Sequence, residues 1–168
     1  YLKEKGVSLR GEPRNSTRHD TRGFIATDPE GYLLEFETFL VGEENKELNA
    51  QLAKTTALYP GKGTKSQRPA NLGLQGNVIL LYYNNIPEAQ RFYEEHFGLK
   101  LVMSQGEMFT KVYASSPTCF IGLVDQAQGL HRVTEEKAVT ISFFSEQIDD
   151  WHQRLSEREF TMRSPLSE

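Results

Sequence analysis

Glu35 and Glu37 are the side chains whose type and spacing could do chemistry. They lie in Tyr32-Leu33-Leu34-Glu35-Phe36-Glu37-Thr38-Phe39, where a period of two puts Leu33, Glu35, Glu37 and Phe39 on one face of a strand and Tyr32, Leu34, Phe36 and Thr38 on the other. A carboxylate on a strand surrounded by apolar groups costs free energy unless it is paired or holds a metal ion. Glu35 therefore reads either as a ligand or as a structural carboxylate, and Glu37, nearer the strand end, as solvated or salt-bridged. His19, in the polar loop upstream, reads as a base or ligand at the mouth of a site, or as an exposed loop histidine. Aromatic side chains at Tyr82, Tyr83, Phe109 and Tyr113 read as pocket walls or as core.

The elements that must position these groups can be traced from turns and periodicity. Asp28-Pro29-Glu30-Gly31 is a turn with a mechanism: Pro29 pre-sets φ, Gly31 tolerates positive φ, and Asp28 can bond the amides that follow. It joins strands at 23–27 and 32–40 into a hairpin. Upstream, residues 1–6 read as the last turn of a helix closed by Gly6, and 7–10 as a strand. Residues 43–58 are rich in helix formers. The stretch 60–69 has the composition of a linker, and a domain boundary is expected there.

Beyond it, residues 77–83 read as a strand and Asn85-Ile86-Pro87-Glu88 as a helix start with a capping box. Ala89, Phe92, Tyr93, His96 and Phe97 make one helical face that ends at Gly98. Strands follow at 99–103, 108–114 and 119–124. A second strand is expected at 139–144, leading into a helix with Ile148, Trp151 and Leu155 on one face. His96 and His152 ride on these helices as surface or packing residues. A short repeat relates Leu2-Lys3-Glu4-Lys5-Gly6-Val7-Ser8-Leu9-Arg10 to Leu155-Ser156-Glu157-Arg158-Glu159-Phe160-Thr161-Met162-Arg163 without a gap. The chain then reads as about one period of a tandem array, a segment of something longer.

Composition narrows the function classes. With 168 residues the chain can bury a real core, and 38% hydrophobic with 25% charged residues is ordinary for a globular protein. A net charge of -4 with scattered basic residues argues against a nucleic-acid surface. The single cysteine, Cys119, rules out an internal disulfide, suits a reducing compartment, and in its apolar run reads as a small buried hydrophobe. The longest apolar run, 78–83, is too short to cross a membrane. The expectation is a cytoplasmic protein without membrane or nucleic-acid partners.

The strand-helix-strand-strand-strand order, the helix ending Arg91-Phe92-Tyr93-Glu94-Glu95-His96-Phe97-Gly98-Leu99 and the Asp28-Pro29-Glu30-Gly31-Tyr32-Leu33-Leu34-Glu35 motif together resemble the vicinal oxygen chelate superfamily, which includes glyoxalase I, bleomycin-resistance proteins and extradiol dioxygenases. The resemblance covers nearly the whole chain apart from 41–70. It implies an α+β fold of paired βαβββ units forming a cupped, partly closed mixed sheet, with an incomplete unit at each end of the chain. Residues 1–40 would be the C-terminal part of a first domain, 41–72 a helical segment and linker, and 73–168 a second domain lacking its last hairpin.

Metal-dependent members of that superfamily take ligands from the first and last strands of a unit. The resemblance thus implies a divalent ion (Zn, Ni, Mn or Fe) at Glu35, and it puts the second domain's first-strand positions at Asn77 or Val78 and at Thr140. Asn, Val and Thr are poor ligands for a transition metal, so that domain is expected to be metal-free. Three functions follow. One is a protein that holds a small organic molecule in a cup lined by apolar and hydroxyl groups. A second is a metal-dependent lyase, isomerase or ring-cleaving dioxygenase using Glu35. The third is a degenerate domain kept for assembly. A homodimer is expected, one in which residues 1–40 complete the unit begun at Val139.

Overall fold

The computed structural model describes residues 2–54, 72–107 and 109–158. A 3-10 turn, Lys3–Lys5, closes at Gly6. The strands β1 (Ser8–Leu9), β2 (Arg14–Asn15), β3 (Thr21–Thr27) and β4 (Leu33–Phe39) follow, then a 3-10 turn, Glu43–Asn45, running into α1 (Lys46–Leu52). The rest of the expected helix and the linker lie outside the described residues. Next come β5 (Asn77–Tyr83), α2 (Ile86–Glu95), β6 (Lys100–Gln105), β7 (Thr110–Ala114), β8 (Cys119–Asp125) and α3 (Ile148–Glu157).

The Asp28 turn forms as its residues dictate. The Asp28 carboxylate accepts from the Glu30 and Tyr32 amides at 3.0 and 2.8 Å, and Gly31 takes φ of 93°, a conformation that costs glycine nothing. The turn sets the antiparallel register of β3 and β4, with Ile25 opposite Glu35 and Gly23 opposite Glu37. β1 and β2 pair with β3 on its other edge, giving an antiparallel sheet.

The second sheet is a complete βαβββ unit. Its order is β5-β8-β7-β6, with β5 parallel to β8 and the remaining pairs antiparallel. Asn85 caps α2 by accepting from the Glu88 amide at 3.2 Å, while its own amide donates to the Glu88 carboxylate at 3.1 Å. On one face of this sheet Tyr113, Ile121 and Leu123 pack against Ile86, Ala89 and Tyr93 of α2. On the other, Val102, Met103, Val112 and Phe120 pack with Leu48 of α1, and Val78, Ala114 and Phe39 of β4 join them. Residues on both sides of the expected linker therefore share one apolar cluster, which turns the hairpin toward the second sheet. The chain is α+β, with no closed barrel among the described residues.

Three expectations are corrected. Residues 139–144 form no strand, because no neighbouring strand among the described residues offers a ladder to their backbone groups. Cys119 is exposed at the first position of β8 rather than buried. Tyr113 is fully buried under α2, on the side of the sheet away from β4, and donates its hydroxyl hydrogen to Glu94 at 2.9 Å. It belongs to the helix-side core and not to a pocket wall. No helix among the described residues is long and apolar enough to cross a membrane.

Candidate functional site

The face of β4 that carries Glu35, Glu37 and Phe39 looks toward β5–β8, since Phe39 packs against the cluster that includes Val102, Met103, Val112 and Phe120. Alternation along β5 puts Val78, Leu80 and Tyr82 on the same side as Val78. Two walls thus face one another: one with two carboxylates, the other apolar with a phenol.

Both carboxylates remain reachable by water, yet the surrounding protein strips part of their hydration. Loss of hydration raises the pKa of Glu35. Loss of hydration, and then the charge of Glu35 in phase on the same strand, push Glu37 up to about 7. Opposite Glu37, Gly23 leaves room for its side chain: a Cβ there would lie 3.0 Å from the Glu37 Cγ and 2.6 Å from the Phe36 carbonyl oxygen.

Tyr82 stands on the opposing wall. Desolvation raises its pKa, a backbone hydrogen bond with Leu130 works the other way, and the charge of Glu35 raises it further, so the two groups are close enough to feel each other. The crossing that follows β8 folds over this tyrosine. His131 meets its ring edge-on at 5.1 Å, and a Cβ on Gly129 would fall 2.5 Å from its Cε1. The crossing is held by Gln126, whose side-chain oxygen accepts from the Val133 amide at 2.8 Å.

Of the residues singled out from sequence, Glu35 lies close enough to Glu37 and to Tyr82 for its charge to act on both, and Val78 packs against the cluster that contains Phe120. Asn77 is exposed and sits on the alternate side of β5, so Val78, not Asn77, occupies the inward position. Thr140 is exposed outside any strand. His19 stacks on Phe109 with ring centroids 5.3 Å apart and faces Glu44 through Nδ1 at 3.4 Å. It lines an open cleft of about 400 Å³ with Ser16, Thr17, Arg18, Asp20, Glu43 and Glu44. Glu44 also accepts from the Asp20 amide at 2.7 Å, so His19 belongs to the tie between the β2–β3 loop and the turn before α1.

Sequence reasoning passed over the perturbation of Glu37. The signal was present in its two-residue spacing from Glu35 and in the glycine opposite it, but only the sheet register joins the two. Thr21, buried opposite Phe39, and Thr110 and Gln105, buried where β6 meets β7, were also missed.

Among the described residues the donor set around Glu35 does not fit a divalent ion. Among the described residues no three His, Cys, Asp or Glu side chains converge, and the wall facing Glu35 and Glu37 offers Val78, Leu80 and a phenol. Protein sites for catalytic divalent ions of the zinc type use about three protein ligands.

Fold and site together define an α+β protein built on a βαβββ unit, with a carboxylate-bearing strand facing that unit. No family model and no curated sequence matches the chain. Among solved structures it is similar to lactoylglutathione lyase from Agrobacterium tumefaciens, at 18% identity over 52% of this chain and 71% of that one, with a TM-score of 0.38. It is also similar to glyoxalase I from Zea mays, at 17% identity over 73% of this chain and 35% of that one, with a TM-score of 0.42.

Proposed function

We propose that this chain binds a small organic molecule in the cup between β4 and the second sheet, without a metal ion. The observation that carries this reading is the carboxylate pair of Glu35 and Glu37 on the strand that faces Tyr82. An apolar wall supplies contact area, and a few polar groups fix orientation. Glu37, with its pKa at about 7, changes protonation near neutral pH. When protonated it donates one hydrogen bond and accepts another. When ionised beside Glu35 it favours a ligand that brings an amine or another donor. The metal-dependent lyase, isomerase and dioxygenase readings need a donor set the described residues do not supply, so no step through an ion is derived. A cytoplasmic setting belongs to the same proposal, supported by the single cysteine. So does a homodimer, in which a second copy closes the open side of the cup.

The test is a ligand-observed NMR screen of small aromatic amines, alcohols and carboxylic acids against the wild-type chain and Glu37→Gln. Cationic amines are expected to bind the wild type more tightly as pH rises through 7, and Glu37→Gln to lack that gain, because only the wild type acquires a charge there. Binding unaffected by the substitution across that range would refute the site. A parallel titration with zinc, nickel, manganese and ferrous iron that shows tight, Glu35-dependent uptake would refute the metal-free reading.

A further inference from the structure

The cleft of about 400 Å³ between the β2–β3 loop and the turn before α1 has neither Glu35, Glu37 nor Tyr82 on its walls. The loop that carries His19 is tied on several sides. The Ser16 amide donates to the Thr21 carbonyl at 2.9 Å and the Thr21 amide to that of His19 at 2.8 Å. The Asp20 carbonyl accepts from the Leu40 amide and from the Asn45 side chain, each at 2.7 Å. Glu44 enters from the turn before α1: Oε1 accepts from the Asp20 amide at 2.7 Å, and Oε2 faces His19 Nδ1 at 3.4 Å. Phe109 closes one face of the imidazole, with the two ring planes 19° apart. The ring is therefore held in one orientation before any ligand arrives.

That orientation has a chemical consequence. A carboxylate can only accept, so Nδ1 carries the hydrogen and the neutral ring keeps its lone pair on Nε2. Nε2 has no hydrogen-bond partner among the described residues, and the ring lines the cleft. His19 and Glu44 keep 17% and 21% of their side-chain exposure, so a small molecule can reach the ring while the pair stays partly shielded from water. Ser16 is no nucleophile for this base, because its Oγ already accepts from the Arg18 and His19 amides at 3.2 and 3.1 Å. Its hydroxyl hydrogen remains to be donated. The Arg18 side chain lines the same space and has no ion-pair partner among the described residues. A base, the carboxylate that orients it and two donors for a developing oxyanion thus border one cleft.

We propose that this cleft is a second chemical site, at which His19 activates water for the hydrolysis of a small uncharged carboxylic ester. Nε2 takes a proton from water as the water oxygen bonds to the acyl carbon, and the carbonyl electron pair moves onto its oxygen beside Ser16 and Arg18. The pair then returns, the bond between the acyl carbon and the ester oxygen breaks, and His19 passes its proton to the departing oxygen. A carboxylic acid and an alcohol leave, and the ring is neutral again. His19 is the catalytic residue and Glu44 its positioning residue. Charge favours an uncharged substrate: Glu43 pairs with Lys46 at 3.6 Å and Glu44 is engaged by His19, which leaves Asp20 and Arg18 to offset one another along the wall.

Release of p-nitrophenolate from p-nitrophenyl acetate by the 168-residue chain tests this, with His19→Ala and Glu44→Gln as variants. The wild type is expected to exceed His19→Ala by about 100-fold in kcat/KM. Added imidazole should restore part of the loss, beyond the rate of imidazole alone, because it can occupy the space the side chain leaves. Glu44→Gln keeps an acceptor for Nδ1 but not the charge that steadies the protonated ring, so kcat should fall about tenfold with KM unchanged. The wild-type rate should also slow in deuterium oxide, since a proton moves as water attacks. Equal rates for the wild type and His19→Ala overturn the proposal. So does an equal rate in the two solvents, because the ring would then attack the ester itself. Should His19→Ala lose its circular dichroism signature, Glu44→Gln decides: a raised KM with kcat unchanged means that Glu44 only shapes the cleft, and the proposal fails.

Discussion

Removing the titration of Glu37 should change how stability responds to pH. In the fold this carboxyl is held at about 7, against an ordinary value of 4.5. Its folded-state pKa thus lies above its unfolded-state value, so between pH 4.5 and 7 the folded chain binds more protons than the unfolded one. Stability then falls as pH rises through that window, and the slope vanishes below and above it. At about 1.4 kcal/mol per pKa unit, the full displacement would cost roughly 3.4 kcal/mol. Glu37 is open to water, however, and screening by solvent reduces this to about 1 kcal/mol. For a chain of this size that is a shift of roughly 2–4 °C in Tm. Thermal unfolding followed by circular dichroism at pH 5 and pH 8, for the wild type and Glu37→Gln, reads the effect directly. The wild type is expected to lose about 2–4 °C more than the variant across that interval. Equal slopes, or a wild type that gains stability relative to the variant, would refute the claim that this carboxyl is desolvated by the facing sheet.

Gly23→Ala forces a Cβ to within 2.6 Å of the Phe36 carbonyl oxygen, and a destabilisation of about 1–3 kcal/mol is expected in urea titrations. Leu48→Ala removes a side chain that is 2% exposed in the cluster joining α1 to the second sheet; about 2–5 kcal/mol should be lost, and a neutral outcome in the same titration would show that α1 does not dock there. Asp28→Ala strips two backbone amides of their acceptor in the turn before β4. It should cost about 1–2 kcal/mol and speed hydrogen exchange at the Tyr32 amide.

Local chemistry was legible wherever a few neighbouring residues decide the outcome. Asp28 and Gly31 announce their turn, Asn85 and Glu88 their cap, and the span of β5 follows from its apolar run. The faces of buried strands were not legible in the same way, because a strand apolar on both sides gives no parity signal. Hence Tyr113 could be assigned to wall or core only once α2 was in place, and Val78 over Asn77 only once β4 stood opposite. Residues 139–144 have strand composition, but a strand is made by its neighbour, and composition says nothing about who that neighbour is. The importance of Glu37 likewise depends on Gly23 across the ladder and on a sheet whose nearest element lies beyond the expected linker. The resemblance drew attention to Glu35 and, by expecting a ligand there, drew it away from the pair.

The parallel pairing of β5 with β8 also dictates an order of events when the chain folds. β6, β7 and β8 can zip up as local hairpins, but β5 has no partner until Cys119 to Asp125 exist and have been brought back beside Asn77 to Tyr83. Closing that long loop costs chain entropy before the pairing repays it. During synthesis the first strand of the unit therefore waits, its apolar run unshielded, until the last strand has left the ribosome. A nascent chain halted before Cys119 would hold β6 and β7 as a hairpin and leave β5 as the segment a chaperone would grip.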